Sequence, residues 1–338
     1  MNASTTLSPI PSKMRAIVQT EYGSPEVLRL AEVDRPTVSN QGVLVRVHAA
    51  AVHAGDWHLM RGTPFLLRLI YGGLRKPKIK ILGCDIAGEV VAIGSDVTQF
   101  QPGDLVFADL SESGFGAFAE YVCVSEGAAI APKPINLTFD EAATVPVSAL
   151  AALQGLRDVG QIQPGQKVLI NGAASGVGSF AVQIAKAYGA EVTGVCRASK
   201  AERVRALGAD RILDTTQLAS VLHEPHYDLI LDIAAYRSVF DYLPALTPNG
   251  RYVLVGGSTA RLFLVMLLGS LITKIRRRTV KCLVTKPNPE DLLVLKQFIE
   301  AGKIRPSVDR TYPFSEVPAA IQALEQRQVQ GKLAIRIH

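Results

Sequence analysis

Short apolar runs follow one another closely in the first third of the chain. They are rich in Val, Ile and Ala, and turns such as Gly23-Ser24-Pro25 and Pro102-Gly103-Asp104 separate them. Runs of this composition between turn residues are typical of β-strands. The pattern therefore predicts a barrel-like or sandwich-like β domain, with strands at residues 15–19, 43–51, 86–93, 105–108 and 119–123.

From residue 139 onward, longer segments with helical spacing replace the short runs. Residues 139–158 contain few helix breakers and are predicted to be helical. Beyond them, apolar runs alternate with helical segments, which predicts strands at 167–171, 191–196, 211–213, 227–233 and 251–255 and helices at 176–188 and 200–207. Buried strands that alternate with helices predict a parallel sheet covered on both faces, a doubly wound α/β domain.

No further unit of buried strand and helix is visible in the last stretch of the chain. Residues 288–302 are predicted to form an exposed helix, residues 318–325 a second helix, and residues 332–337 a short closing strand. Because no further strand–helix unit follows, we expect this segment to rejoin the first domain.

A turn of small side chains joins the strand that ends at Asn171 to the helix that follows. The G-x-G-x-x-G expression is not matched, because Ala173, Ser175 and Gly178 occupy its three glycine positions. Small residues still allow backbone N–H groups to approach a pyrophosphate at a helix N-terminus. A tight turn at any strand–helix junction would look similar, but this one lies within a complete strand–helix–strand unit. We predict that the loop binds a dinucleotide through Ala173, Ala174, Ser175, Gly176, Val177 and Gly178.

The end of the next strand indicates which dinucleotide is bound. NAD sites place Asp or Glu there to bind the ribose 2′-hydroxyl, whereas this strand runs into Cys196-Arg197-Ala198-Ser199-Lys200. Arg197 and Lys200 are suited to a 2′-phosphate, although both are also compatible with solvated surface charges. The sequence favours NADPH over NADH, with Cys196, Arg197 and Lys200 in the site.

The chain resembles the medium-chain dehydrogenase/reductase superfamily from about Met14 to its C-terminus. The landmarks are residues 14–30, 49–62 and 81–107, the loop at 172–178, and the Gly-Lys-Leu-Ala-Ile-Arg-Ile segment near the end. Within the superfamily it is similar to the zinc-independent quinone oxidoreductase branch. The resemblance implies an α/β fold made of a flexible tail at residues 1–13, a GroES-like β-rich catalytic domain at 14–138 and 286–338, and a Rossmann cofactor domain at 139–285.

The resemblance also implies hydride transfer from the cofactor to a small quinone or α,β-unsaturated carbonyl. The branch carries Val-Asn-x-x-Asp near the reacting centre, and this chain has Val52-His53-Ala54-Gly55-Asp56. His53 is a candidate to donate a hydrogen bond or a proton, or it is a packed side chain bound to backbone. Asp56 is the second catalytic candidate, or it holds the loop. The alternative functions are an alcohol or aldehyde oxidoreductase and a non-catalytic NADPH-binding scaffold.

Further cofactor-binding candidates lie at the ends of later strands. Ala234, Gly256 and Gly257 end parallel strands where a nicotinamide would pass. Thr215 occupies the position at which the branch often has Tyr beside the adenosine phosphate. Lys332, in the closing strand, is a candidate to approach the cofactor, with an ordinary surface lysine as the alternative.

No metal site is predicted. Zinc-dependent members of the superfamily carry Cys, Gly-His-Glu and a further Cys where this chain has His53, Gly83-Cys84-Asp85 and no ligand. A catalytic zinc needs three protein ligands and one open position. His53, Cys84 and Asp85 supply that set only nominally, and the four-cysteine lobe of the zinc-bearing members is missing.

Composition and charge narrow the range of partners. The 338 residues carry a formal net charge of +6, which favours anionic ligands without indicating nucleic acid. Four widely spaced cysteines and an N-terminus without a signal-peptide pattern indicate reduced thiols and a cytoplasmic protein. We expect a small-molecule substrate and no nucleic-acid partner, with a homodimer as an open option.

One apolar run, residues 262–272, is followed by a basic cluster from Lys274 to Arg278. The run is too short to span a bilayer, which needs about 20 residues, so no transmembrane segment is predicted. A buried helix or an oligomer contact is the first interpretation. Because apolar residues beside a basic cluster are also typical of interfacial helices, peripheral membrane contact through residues 262–281, or a wall of the substrate site, is the second.

Overall fold

The computed structural model describes residues 10–71 and 73–338, apart from the side chains of Thr259, Ile275 and Arg276. Residues 1–9 of the predicted tail lie outside the described residues, as does Gly72. The first third consists of short strands, as the apolar runs predicted, with two helices between them that the pattern did not predict. Its elements are β1 (Lys13–Val18), β2 (Arg29–Asp34), β3 (Gly42–Val52), α1 (Ala54–Arg61), α2 (Leu66–Ile70), β4 (Asp85–Ile93), β5 (Leu105–Asp109), β6 (Tyr121–Ser125) and β7 (Ile130–Pro132).

The middle of the chain alternates strands and helices. Its elements are α3 (Phe139–Ala143), α4 (Pro146–Gln154), β8 (Lys167–Asn171), α5 (Gly176–Ala187), β9 (Glu191–Cys196), α6 (Ala201–Ala206), β10 (Arg211–Asp214), β11 (Tyr227–Asp232), α7 (Val239–Tyr242), β12 (Leu246–Leu254), α8 (Thr259–Arg276) and β13 (Thr279–Cys282). The strands form a six-stranded parallel sheet in the order β10-β9-β8-β11-β12-β13. The predicted doubly wound sheet is therefore confirmed.

The last part of the chain returns to the first sheet. Its elements are α9 (Pro289–Glu300), β14 (Val308–Pro313), α10 (Val317–Glu325) and β15 (Lys332–Arg336). β15 pairs antiparallel with β3, with Leu333 opposite Val52, so the closing strand completes a seven-stranded sheet of largely antiparallel strands. The expectation that this segment rejoins the first domain is confirmed, whereas the domain boundaries at residues 138 and 286 stay a prediction.

Two helical predictions need correction. Residues 139–158 do not form one helix, because Pro146 begins a new helix and residues 155–159 form a π-helical turn. The helix predicted at 288–302 is not simply exposed, because Leu292, Leu295 and Ile299 of α9 are fully buried. Their spacing places one apolar face of α9 against the core.

The apolar core is continuous between the two sheets. One cluster contains Ala49 and Phe107 from the first sheet together with Val168 and Phe180 from the parallel sheet and its first helix. α4 lies between them, and nearly all of its residues are buried. Packing in this shared core therefore fixes the position of the two sheets where they meet.

The helix α8 is neither buried nor membrane-spanning. Its Val265, Gly269 and Ile272 are directed inward, and a side chain at Gly269 would meet the carbonyl oxygen of Val280 in β13 at 2.9 Å. Other apolar residues of the same helix are exposed, so the prediction of a buried helix is correct for one face only. Within residues 10–71 and 73–338, no helix is long and apolar enough to cross a bilayer.

Candidate active site

A cleft of about 430 Å³ runs along the carboxyl ends of the parallel strands. Such an edge is where ligands bind in sheets of this type. Eight of the residues that the sequence predicted for the cofactor line it, namely Ala174, Ser175, Gly176, Cys196, Arg197, Lys200, Thr215 and Ala234. The opposite wall is formed by Ala54 at the start of α1 and by Leu324, Arg327, Val329 and Gly331 between α10 and β15.

The loop after β8 packs closely against the start of helix α5. Gly172 has φ +89°, a conformation that residues with a Cβ rarely adopt. Ser175 caps α5, and its Oγ accepts a hydrogen bond from the N–H of Gly178 at 3.0 Å. A Cβ at Gly178 would lie 2.1 Å from the carbonyl oxygen of Gly172. The missing side chain thus allows the helix to pack directly on the loop.

The six predicted loop residues divide into two groups. Ala174, Ser175 and Gly176 line the cleft. Ala173 is fully buried beneath it, with its N–H donating to the carbonyl of Val195 at 3.0 Å, and Val177 packs against the core. Together with Gly178, these residues support the loop from below.

Positive charge is concentrated at one end of the cleft. Arg197 is exposed there, and Nζ of Lys200 donates to the carbonyl oxygen of Val329 across the cleft. Burial lowers the pKa of Lys200, and the charge of Arg197 adds to that effect. Arg237 also lines the cleft, and the guanidinium of Arg327 lies 5.0 Å from the centre of the Tyr236 ring. No Asp or Glu is among the lining residues of the described chain.

The nearby carboxylate of Asp214 is bound by the backbone. Its oxygens accept hydrogen bonds from the N–H groups of Ala198 and Thr216 at 2.6 and 2.9 Å. The hydroxyl and N–H of Thr216 hold the pKa of Asp214 below its ordinary value. Thr215, whose N–H donates to the carbonyl of Cys196 at 3.1 Å, remains in the cleft wall.

A buried polar network forms the floor of the cleft. Nδ2 of Asn171 donates to Asp232 at 2.7 Å and lies 3.0 Å from the hydroxyl of Tyr242. The hydroxyl of Tyr252 donates to the other oxygen of Asp232 at 2.7 Å. Burial raises the pKa of Asp232 while these donors oppose the shift. The network fixes the ends of β8 and β11, where the lining residues begin.

The two predicted glycines after β12 do not line the cleft. Gly257 has φ +113°, and a Cβ there would lie 2.4 Å from that of Ala235. Gly256 and Gly257 thus lie close behind the turn that carries Ala234, which does line the cleft. Their positions permit that turn to pack closely.

His53 begins helix α1 as its N-cap. Its Nδ1 accepts a hydrogen bond from the N–H of Gly55 at 3.1 Å, which places the ring proton on Nε2. Burial lowers the pKa of His53 to about 3, and the charges of Lys332 and His58 add to the effect. The neutral ring is therefore a hydrogen-bond donor through Nε2 and not a proton donor near neutral pH.

Asp56 lies in the first turn of α1 and forms a capping box with His53. Its two oxygens accept from the N–H groups of His53 at 2.7 Å and Gly83 at 3.1 Å. The side chain is fully buried, and burial raises its pKa to about 7. Both oxygens are occupied by backbone, so of the two sequence interpretations the geometry favours the one in which Asp56 holds the loop.

A buried ion pair lies beneath the cleft. Nζ of Lys332 is 2.9 Å from Oδ2 of Asp85, and Oδ1 of Asp85 accepts from the N–H of Val147 at 2.7 Å. The stem of Lys332 passes the cofactor loop, since a Cβ at Gly176 would lie 2.8 Å from its Cδ. Lys332 approaches the loop through its methylene groups, while its charge is directed to Asp85. Burial raises the pKa of Asp85, and Lys332 opposes that shift.

The nominal zinc ligands are occupied otherwise. His53 uses Nδ1 on Gly55, and Asp85 is bound to Lys332 and Val147. Cys84 is buried, and burial raises the pKa of its thiol well above the ordinary value. In the part of the chain that the structure describes, no group of three or more His, Cys, Asp or Glu residues is placed to hold a metal ion.

Sequence reasoning missed most of the far wall. Leu324, Arg327 and Val329 carry no local motif, and they reach the cleft only because distant segments meet there. Tyr236 and Arg237 also line it and were not predicted, although they follow Ala234 at the end of β11. One signal was available for the floor, since Asn171 is a polar residue at the end of a buried strand.

The residues present fit a dinucleotide phosphate. The loop offers small residues at the capped N-terminus of a helix of 12 residues, and the cationic end is suited to an additional phosphate. The cleft then continues to Ala54, beside His53.

Two family models match the chain. The model of the alcohol dehydrogenase GroES-like domain matches residues 39–135, and the model of the zinc-binding dehydrogenase matches residues 207–335. The first match agrees with the predicted GroES-like fold of the first domain.

Curated proteins and solved structures are similar over nearly the whole length. The mitochondrial NAD(P)H oxidoreductase RTN4IP1 of Homo sapiens is 33% identical, with 98% of this chain and 91% of the relative covered. The 2-methylene-furan-3-one reductase of Solanum lycopersicum is 34% identical, with 98% and 81% covered. The structure of the quinone oxidoreductase from Coxiella burnetii has a TM-score of 0.84 at 29% identity, with 96% of this chain and 100% of that chain covered.

Proposed function

Because this chain belongs to the medium-chain dehydrogenase/reductase superfamily, in its quinone oxidoreductase-like branch, we propose that it is an oxidoreductase that reduces quinones or α,β-unsaturated carbonyls with NADPH and without zinc. The observation that carries the proposal is the cleft itself. A small-residue loop at a capped helix N-terminus lies between Arg197 and Lys200, which follow β9, and the His53 segment, and Arg237 and Arg327 also line the cleft.

The charge of the cleft supports NADPH as the cofactor. Arg197 and Lys200 follow β9, where an acidic residue would bind the ribose of NAD. Asp214 is tied to backbone N–H groups, so its charge is already solvated by hydrogen bonds. Charge-assisted bonds to a 2′-phosphate are then available without a competing carboxylate in the lining.

In the proposed reaction, the protein mainly aligns the cofactor with the substrate and donates hydrogen bonds to the substrate. NADPH, when bound, supplies the hydride, which adds to an electrophilic carbon of the substrate. The Nε2–H of His53 is suited to donate to the substrate oxygen on which negative charge develops. Since the low pKa of His53 excludes it as an acid near neutral pH, the proton that completes the reduction comes from water.

The donor set supports chemistry without zinc, although one matching family model is described as zinc-binding. Both oxygens of Asp85 and Nδ1 of His53 already accept or pair within the chain, and Cys84 is disfavoured as a thiolate. Reduction of an activated alkene does not need a Lewis acid to the extent that alcohol oxidation does. The named substrate of the tomato relative, a methylene-furanone, is itself such an alkene.

The test is oxidation of NADPH, with NADH in parallel, against a panel of quinones and enones, together with metal analysis of the purified protein. We expect turnover with NADPH and at least one acceptor, and no stoichiometric zinc. Alcohol oxidation by a zinc-loaded protein would show that the alcohol or aldehyde oxidoreductase is the correct alternative. NADPH binding without consumption of any acceptor would identify a non-catalytic scaffold.

Two expectations about assembly and surroundings are kept as proposals. β13 is one of the two edge strands of the parallel sheet, so its open side offers backbone groups for pairing in a homodimer. We also propose a cytoplasmic location, based on the reduced state expected for the four cysteines, of which Cys84 and Cys196 are buried.

A further inference from the structure

The outer face of α8 is apolar although it is exposed. Phe263, Met266, Leu267 and Leu271 recur at the spacing of one helix face, and Met266 and Leu267 are 63% and 74% exposed. The inner face is apolar as well, with Val265 and Ile272 buried. A helix that is apolar all round is unusual where one side is open to solvent.

A second apolar element lies beside α8. Leu66, Leu69 and Ile70 of α2 are exposed, and Phe65 and Leu74 flank them. A cavity of about 260 Å³ separates the two helices, and apart from His58 and Pro64 it is lined by Leu66, Leu67, Leu262, Phe263 and Met266. The outer faces of α2 and α8 thus form one surface, called here the α2–α8 face.

The charged residues of the two chain segments that carry this face are all basic. Residues 57–84 and 242–289 contain fourteen Lys and Arg and no Asp or Glu. Arg75, Lys76 and Lys78 follow α2 and are exposed, and Lys274 and Arg277 are exposed at the end of α8. Positive charge therefore flanks exposed apolar side chains at both helices.

We propose that the α2–α8 face docks on an anionic lipid bilayer. The acyl boundary would cover the apolar residues while the lysines and arginines meet the headgroups, which is how interfacial helices bind. A nucleic acid would match the charges only and leave the apolar residues in water. A second copy paired symmetrically through this face would bring like charges together. The proposal is independent of the reaction, because binding needs neither cofactor nor substrate.

The test is flotation of the full chain with vesicles of phosphatidylcholine alone and of phosphatidylcholine mixed with phosphatidylglycerol. We expect binding to the mixed vesicles at low salt, weaker binding at high salt, and little binding to neutral vesicles. The triple variant Met266→Gln, Leu267→Gln, Leu271→Gln should lose more than about tenfold in affinity, because each exposed apolar side chain contributes to burial in the bilayer. Lys76→Glu with Lys274→Glu should weaken binding to mixed vesicles specifically.

A matched control removes exposed apolar residues elsewhere. Ile135→Gln with Leu293→Gln changes side chains that are 86% and 41% exposed away from the α2–α8 face, and should leave vesicle binding intact. Circular dichroism of each variant verifies that it is folded. The proposal is wrong if the wild-type chain does not bind mixed vesicles, or if the triple variant binds as tightly as the control. A wild-type dimer that the triple variant converts to a monomer, without vesicle binding, would assign the face to a second copy instead.

Discussion

Arg197 and Lys200 both follow β9 and line the cleft, but only the charge of Lys200 has a hydrogen-bond partner among the described residues of the chain. Lys200 donates to the carbonyl of Val329, whereas Arg197 is exposed. Both residues were predicted from their position after β9, because the end of that strand is a fixed landmark of a dinucleotide fold. The contact between Lys200 and Val329 was not predictable, because Val329 lies far away in the sequence.

Arg197→Ala is expected to raise the KM for NADPH while leaving the KM for NADH and kcat nearly unchanged. Loss of a charge-assisted hydrogen bond to the 2′-phosphate corresponds to roughly tenfold to hundredfold. Initial-rate kinetics with both cofactors measure this difference. Arg211→Ala is the matched control, because Arg211 is exposed at the opposite end of the neighbouring strand β10. An equal loss for NADH and NADPH would contradict a role at the phosphate.

His53 should make the protein less stable as the pH falls. Its pKa is about 3 in the folded chain against 6.5 ordinarily, so between these values the unfolded chain binds the extra proton and stability rises with pH. In His53→Asn, which keeps an N-cap residue, this dependence is absent. The free energy of unfolding of wild type relative to the variant should therefore fall below pH 6.5, by at most about 1.4 kcal/mol per pH unit.

Urea unfolding of both proteins at a series of pH values measures the effect. Asp56, with its pKa raised to about 7, has the opposite dependence, because its stabilisation is lost as the pH rises through that value. It is present in both proteins and cancels in the difference. A difference that does not vary between pH 6.5 and 5 would show that His53 is protonated in the folded chain.

Among the elements, the strand–loop–helix unit from β8 to α5 was predicted most completely. Its period, its small residues and its helix start are local properties, so the sequence alone indicated them. The exposed character assigned to α9 was wrong, because its burial depends on packing against α4 and β7. The bend at Pro146 was missed although proline at the start of a helix is a local signal.

Gly178→Ala tests the close packing of this unit. The new Cβ would lie 2.1 and 2.8 Å from backbone atoms of Gly172 and Ala173, which cannot yield without moving the loop. We expect a loss of about 2–3 kcal/mol in the free energy of unfolding, together with weaker NADPH binding. Gly127→Ala, where a Cβ would meet nothing within 4 Å, should change stability by no more than about 0.5 kcal/mol. Denaturant unfolding compares the two, and equal losses would show that Gly178 is not a packing site.

At the scale of the whole molecule, the cleft exists because two sheets share one core. β15 returns to β3, and that return brings Gly331 beside Ser175. The sequence predicted the two domains and the return strand, but not the residues on the far wall. Those positions depend on how the sheets are oriented, which no local pattern encodes.

The Asp85–Lys332 pair stabilises this junction. Asp85→Asn and Lys332→Met should each lower the free energy of unfolding by about 3–5 kcal/mol, because each leaves a buried charge without its partner. The double variant should cost clearly less than the two together, since it removes both charges. A double-mutant cycle by urea unfolding measures the coupling, with the exposed pair Lys13–Asp34 as a control that should show none. Strict additivity would mean that the pair does not act as a unit.

Because its ammonium donates to the Val329 carbonyl, Lys200 keeps a hydrogen-bond partner when a cofactor without a 2′-phosphate enters the cleft. Arg197 likewise stays hydrated in that case, because it is exposed. Selectivity of this kind arises from added attraction and not from exclusion. NADH at sufficient concentration would therefore sustain turnover. The relative abundance of the two reduced cofactors, as much as the protein, would decide which electron pool supplies the reaction.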